Sequence, residues 1–173
     1  MRQTSFADMH CSIARSLEVI GDWWSPLIIR DVYLGLDRFD DLAADLGISR
    51  GLLADRLETL VAGGVLCKVP YSSRPVRHHY RLTEAGTELV PLLIALTAWG
   101  DRWRSDGVPP ILFEHDVCGA HLEAHVTCAS CGGEVLAGEV TPRPGPGGRI
   151  ARGTMLIGRV LGAEEPHDEE VRA

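Results

Sequence analysis

Residues 115–133, HDVCGAHLEAHVTCASCGG, hold three of the chain's five cysteines and three of its seven histidines. Thiolate sulfur and imidazole nitrogen are ligands that suit tetrahedral Zn²⁺. Cys128-x-x-Cys131-Gly132 has the spacing of a knuckle, a tight turn whose glycine lets the backbone bend around a metal. His115-x-x-Cys118 repeats the two-residue gap. The nine residues between Cys118 and Cys128 are enough for a short hairpin, and HLEAHVT alternates like a strand. Cys118, Cys128 and Cys131 therefore form a candidate zinc set. The fourth ligand is open among His115, His121 and His125, of which His115 repeats the two-residue gap. A closed set of four would be structural, a staple for an extension with little core. Catalysis would need an open coordination position and a positioned acid or base. Glu114 and Glu123 are near in sequence, but nothing arranges them. The plainer alternative is an extension ordered without metal.

These residues are attached to a chain of 173 residues with 45% hydrophobic and 24% charged residues, the composition of a globular protein. Its length suits one domain with an appendage, or two small domains. No apolar run has the length of a membrane span. The first residues lack the apolar core of a signal peptide, so a cytoplasmic protein is expected. An odd cysteine count with a local C-x-x-C pair points to metal or redox chemistry rather than a disulfide framework. The net charge is −7, but it is unevenly spread. Residues 1–104 hold 12 Lys/Arg against 13 Asp/Glu, and residues 105–173 hold 5 against 11. Within residues 49–81 the balance is +4, from six basic side chains against Asp55 and Glu58. A local basic stripe is compatible with phosphate binding whatever the overall charge.

Apolar spacing predicts helices over 12–21 (Ile13, Leu17, Ile20) and from Ser25-Pro26 to about Gly35, with Ser25 as cap and Leu27, Ile28, Val32 and Leu36 as the buried stripe. A short helix over 38–47 stops at Gly47, and a second, capped by Ser49, runs to Gly63-Gly64 with Leu53, Leu57 and Leu60 on one face. VLCKVPY and HHYRLT are β-rich runs around the basic SSRPVR, the pattern of a hairpin. Thr83 caps a last helix to residue 104, with Leu89, Leu92, Leu93, Leu96 and Trp99 on its apolar side. Pro91 implies a kink or a late start. DGVPP is a linker, residues 141–149 carry no fold signal, 153–162 suits a strand or short helix, and the last residues form an acidic tail.

Two short helices joined through Leu46-Gly47-Ile48-Ser49 and followed by a basic hairpin make a winged helix-turn-helix. In that arrangement the second helix presents its N-terminal end to a DNA major groove. Ser49, Arg50, Gly51, Ala54 and Asp55 lie on its outward face, with Arg56 near the edge. Arg50 suits a bidentate guanine contact, and Ser49 with the helix amides suits a phosphate. Arg74 and Arg77 at the hairpin tip can reach the backbone or the minor groove, and His79 adds a wing contact. Cys67, between apolar neighbours, is expected to be packing. His78 and His79 are no metal pair, because adjacent strand residues face opposite ways.

The run CSIARSLEVIGDWWSPLIIRDVYLGLDRFDDLAADLGISRGLLADRLETLVAGGVL, with PYSSRPVRHHYRLTEAGTELVPLLIALTAWG, resembles the HxlR-type winged-helix regulators of bacteria over about residues 11–104. The motifs are an N-terminal Cys, Val-Ile-Gly-x-Trp, Arg-Phe-x-x-Leu, Gly-Ile-Ser, a wing Arg before Tyr-x-Leu-Thr-x-x-Gly, and a closing Trp-Gly. The resemblance implies a homodimer paired through the first and last helices, bound to a pseudo-palindromic double-stranded DNA operator and acting as a repressor. Two positions depart from the family pattern: Asp22 replaces a usual lysine, and His79 a usual carboxylate. Cys11 matches a cysteine that some members use to sense oxidants or electrophiles. Its neighbours in sequence include His10, Arg15 and Asp8, while the plainer reading is a small buried hydrophobe.

The expected architecture is mainly α with a small β-wing (α+β). A winged helix-turn-helix occupies residues 1–104, and a zinc-ribbon-like β extension with its tail occupies 105–173. Trp23, Trp24, Trp99 and Trp103 suit a dimer interface or an effector pocket. Two alternatives stand beside the regulator: a metal- or redox-responsive sensor using Cys11 or the cysteine cluster, and a winged-helix interaction module that does not bind DNA. An enzyme is not expected, since no phosphate-cradling glycine loop, nucleophile elbow or His-Glu-x-x-His motif occurs.

Overall fold

The computed structural model describes residues 5–162. They fall into two compact units, residues 24–136 and the described parts of 1–23 with 137–173. This division differs from the expected one. The first helix groups with the C-terminal segment, and the Cys/His segment groups with the winged domain. The acidic tail, residues 164–173, lies outside the described residues.

The larger unit begins with α2 (Ser25–Tyr33), α3 (Phe39–Leu46) and α4 (Arg50–Ala62). Its core consists of Ile28, Ile29, Leu42, Leu53, Leu57, Leu60 and Leu66, each at most 1% exposed. Burying each such side chain contributes about 1.5–3 kcal/mol. On α2 the inward stripe is Ile28, Ile29 and Val32, whereas Leu27 is exposed, one position off the expected register. Trp24 rather than Ser25 is the N-cap of α2, and Ser25 is its buried first residue. Asp31 is also buried. Arg30 donates Nε–H to its Oδ1 at 2.8 Å. Burial pushes the Asp31 carboxyl pKa up, and the Arg30 hydrogen bond pulls it part of the way back.

The turn between α3 and α4 is made by local chemistry. Gly47 adopts φ +61°, the left-handed conformation that ends α3 at little steric cost. Ile48 is buried in the core, and the Ser49 hydroxyl accepts the Leu52 N–H at 3.3 Å to start α4.

The wing is the antiparallel pair β1 (Leu66–Ser73) and β2 (Val76–Leu82), longer than the apolar runs suggested, with the basic residues on and beside a tight turn. Cys67 is exposed on β1, not packed. Thr83 caps α5 (Glu84–Glu88), its hydroxyl accepting the Gly86 N–H at 3.1 Å. Pro91 then falls in the first turn of α6 (Val90–Arg104), so the long helix starts late rather than kinking. Leu92, Leu96, Trp99 and Trp103 on α6 are all more than half exposed.

Two very small hairpins follow. β3 (Glu114–His115) pairs with β4 (Ala120–His121), and an isolated bridge joins Thr127 to Glu134. In the other unit are α1 (Ser12–Ile20) and α7 (Met155–Leu161), the second resolving 153–162 as a short helix. Ala14 and Ile150 are its buried apolar side chains, and the His10 N–H reaches the Arg152 carbonyl at 3.3 Å.

Candidate nucleic-acid interface

Three elements bring the predicted DNA residues to one side of the larger unit. Leu53, Leu57 and Leu60 of α4 are fully buried, which turns Arg50, Gly51, Ala54 and Asp55 outward. Arg56 is half-buried at the edge of that face. The wing folds back so that Arg50 and Arg77 line one open cleft of about 300 Å³ with Phe39, Asp40, Tyr71 and Val76. Arg74 stands exposed at the wing tip. Among the described residues, Lys68, Arg74 and Arg77 take part in no ion pair.

Arg50 is held in place. Its Nη1 lies 2.7 Å from Asp40 Oδ1, and its guanidinium sits 4.8 Å from the Phe39 ring centroid. Both charged side chains are well exposed, 69% and 64%, so water and salt weaken the pair. The Ser49 hydroxyl oxygen accepts the Leu52 N–H as the α4 cap, which leaves its O–H to donate to a phosphate.

His79 has a partner within the chain. Its Nδ1 is 2.7 Å from Asp37 Oδ1, and both side chains are mostly buried, 20% and 16% exposed. Arg81 Nη2 approaches the other oxygen of Asp37 at 2.9 Å, and the Tyr80 N–H donates to the Asp37 carbonyl at 2.7 Å. Arg38 lies over the Tyr71 ring at 5.1 Å, and Tyr71 contacts the His79 ring. Asp37 is therefore the post to which the wing is tied, and His79 is one of the ties. Sequence reasoning missed Asp37, because its partners are some forty residues away along the chain.

The remaining candidates lie elsewhere. Cys11 is half-buried at the start of α1, in a cleft of about 350 Å³ that it shares with His10, Arg15 and the glycines of 145–148. In the Cys/His segment, His115 Nδ1 is 3.3 Å from Cys118 Sγ. The amides of Cys131 and Ser130 hydrogen-bond to the Cys128 sulfur, which lowers the pKa of its thiol. The other two histidines are engaged: His121 Nδ1 with the Phe113 carbonyl at 3.2 Å, and His125 with Glu134 at 2.7 Å, which raises the His125 pKa. Each ligand pair is thus formed. Among the described residues, however, no three such side chains converge as one metal-holding group.

The chain matches the HxlR-like helix-turn-helix family over residues 19–107. It is 47% identical over 138 residues to the HTH-type transcriptional regulator Rv3095 of Mycobacterium tuberculosis (strain ATCC 25618 / H37Rv), covering 79% of this chain and 87% of that one. A match of that extent has to run through the Cys/His segment. The regulator YvaP of Bacillus subtilis (strain 168) is 30% identical over 90 residues, 51% of this chain and 83% of its own. Among solved structures, PA1607, described as a transcription factor, superposes with a TM-score of 0.70 at 35% identity, covering 80% of this chain and 98% of that one. The redox regulator HypR in its reduced form gives 0.50 at 26% identity, covering 57% and 100%. No helix among the described residues is long and apolar enough to cross a membrane. The chain belongs to the HxlR-like helix-turn-helix family of DNA-binding transcriptional regulators.

Proposed function

We propose that the protein acts as a homodimer that reads a pseudo-palindromic operator and represses by occluding a promoter. The observation that carries this reading is the shared cleft: the N-terminal end of α4 and the wing present Arg50 and Arg77 to one surface. Arg50 reads a guanine edge, and Arg77 with Arg74 holds phosphates. Dimerisation is supported by the apolar side of α6, where Leu92, Leu96, Trp99 and Trp103 are left in solvent, and by Ile13 on α1, 72% exposed. A two-fold axis would set the two recognition helices about 34 Å apart, one turn of DNA. The protein would work in the cytoplasm by binding alone, without turning over a substrate. Cys11 as an oxidant sensor is a second reading, favoured by its half-exposed place beside His10 and Arg15.

Selection of bound duplexes from a random pool, followed by sedimentation of the complex, tests the proposal. It predicts a two-half-site motif occupied by two chains. A motif with a single half-site occupied by one chain would overturn it. For the second reading, diamide treatment should change operator affinity in the natural protein and leave Cys11→Ser unaffected.

A further inference from the structure

The two turns of the Cys/His segment are built alike. In the first, the Gly119 N–H donates to the His115 carbonyl at 2.8 Å, with Gly119 at φ +67°. In the second, the Gly132 N–H donates to the Cys128 carbonyl at 2.8 Å, with Gly132 at φ +71°. Each turn therefore runs ligand, two residues, Cys, left-handed Gly. Each also closes a minimal hairpin. Glu114 and His115 face His121 and Ala120 across the first, while the Cys128 N–H reaches the Gly133 carbonyl at 2.8 Å and Thr127 bridges Glu134 at the second. The turn puts His115 Nδ1 on the side of Cys118 Sγ, 3.3 Å away. With metal bonds of about 2.0 Å to nitrogen and 2.3 Å to sulfur, a tetrahedral edge between such ligands is about 3.5 Å.

Apolar packing at these hairpins is slight: at the base of the first, Ile111 and Phe113 line a pocket with Val90, Leu93 and Ile94. None of residues 111–149 is buried, and Val117, Val126 and Leu136 are 87%, 66% and 53% exposed. An isolated two-stranded hairpin is at best marginal in water, and each of these has only a couple of paired residues. Segments of this size without a core are held by a disulfide, a metal or a partner. The twin turns show which of these the residues suit.

The geometry points to a structural Zn²⁺ site in which His115 and Cys118 from one hairpin and Cys128 and Cys131 from the next bind one ion. The ion supplies what the protein groups alone do not: it draws the two preformed pairs to a single point. Binding displaces three thiol protons to solvent and leaves His115 neutral, so Zn²⁺ with three thiolates carries one net negative charge. The set is closed, with no open position for a reacting water. His115 is the histidine assigned because its Nδ1 already lies beside Cys118 Sγ. The inference stands apart from the DNA-binding reading and is tested without DNA.

The test uses the full chain, purified under reducing conditions without added metal, then stripped and titrated with Co²⁺ and Zn²⁺. The expected result is one ion per chain. The Co²⁺ form should show the intense visible bands of tetrahedral geometry and a near-ultraviolet thiolate charge-transfer band, both lost on adding Zn²⁺. Cys128→Ser and Cys118→Ser should lose the charge-transfer band, and Cys67→Ser should retain it. His115→Cys should keep one ion per chain with a stronger charge-transfer band, which separates a lost ligand from a lost fold. No Co²⁺ uptake by the reduced protein would overturn the proposal. So would uptake unaffected by Cys118→Ser and Cys128→Ser together, or one ion shared between two chains.

Discussion

Replacing Asp40 by asparagine asks whether Arg50 is a DNA-reading side chain parked against a neighbour. In the free protein the guanidinium has two partners, the Asp40 carboxylate at 2.7 Å and the Phe39 ring at 4.8 Å. The ring contact survives the substitution and keeps Arg50 in roughly the same place. The charge contact does not survive. Because both side chains are well exposed, the pair is worth about 0.2–1 kcal/mol. DNA must displace that pair before Arg50 can bond a base. Removing it should tighten operator binding by about 1.4- to 5-fold. Arg50→Ala should do the opposite, losing about 1–3 kcal/mol at one base pair and relaxing preference there. Fluorescence anisotropy with the selected operator and its single-base variants, over a range of salt, reads both effects. In the double variant most of the Asp40→Asn gain should vanish, because no guanidinium remains to be released. A gain that persists in full without Arg50 would refute the reasoning, as would an Asp40→Asn protein that binds tenfold more weakly. The first would mean that Asp40 acts only through its field on DNA. The second would mean that Asp40 positions Arg50 rather than competing for it.

Arg77→Ala should weaken binding to all sequences alike and make the log–log salt slope shallower by about 0.9, one phosphate's worth; a change confined to one base position would contradict this. Asp37→Ala removes the acceptor of both His79 and Arg81, and should cost about 1–3 kcal/mol in chemical denaturation with a further loss of DNA affinity as the wing loosens. A variant with unchanged stability would deny Asp37 its anchoring role. Leu57→Ala, at a position 1% exposed, should destabilise by about 2–5 kcal/mol by the same measurement. Trp99→Glu on the exposed side of α6 should shift sedimentation from dimer to monomer while leaving the helical circular dichroism of the chain intact.

The DNA-binding half was legible because its signals are local. Gly47 ends one helix through its own φ, Ser49 caps the next through an N–H three residues on, and the leucines of α4 are spaced to share a face whatever they pack against. Where reading depended on an absolute choice of face, it slipped: on α2 Ile29 points inward and Leu27 outward, a difference that only the neighbouring helices decide. Pro91 left a kink and a late start both open from the sequence, and the structure takes the late start, where proline fits the first turn.

In the Cys/His segment, spacing alone identified two pairs with a two-residue gap. It also left three histidines as rivals. The fold sets His115 Nδ1 against Cys118, and turns Nδ1 of His121 and of His125 to the Phe113 carbonyl and to Glu134. It also shows the likeness of the two turns, which depends on carbonyls and φ angles and not on side-chain identity.

What the sequence determined by itself is the order of elements, the helix-turn-helix and the outward place of Arg50, all consequences of periodicity, caps and glycine. The tertiary structure alone decided what each polar side chain does once there. It set Arg50 against Asp40, ten residues away, and His79 against Asp37, forty-two residues away. A charged group's partner is chosen by distance in space, and that distance exists only after the helices and the wing have packed.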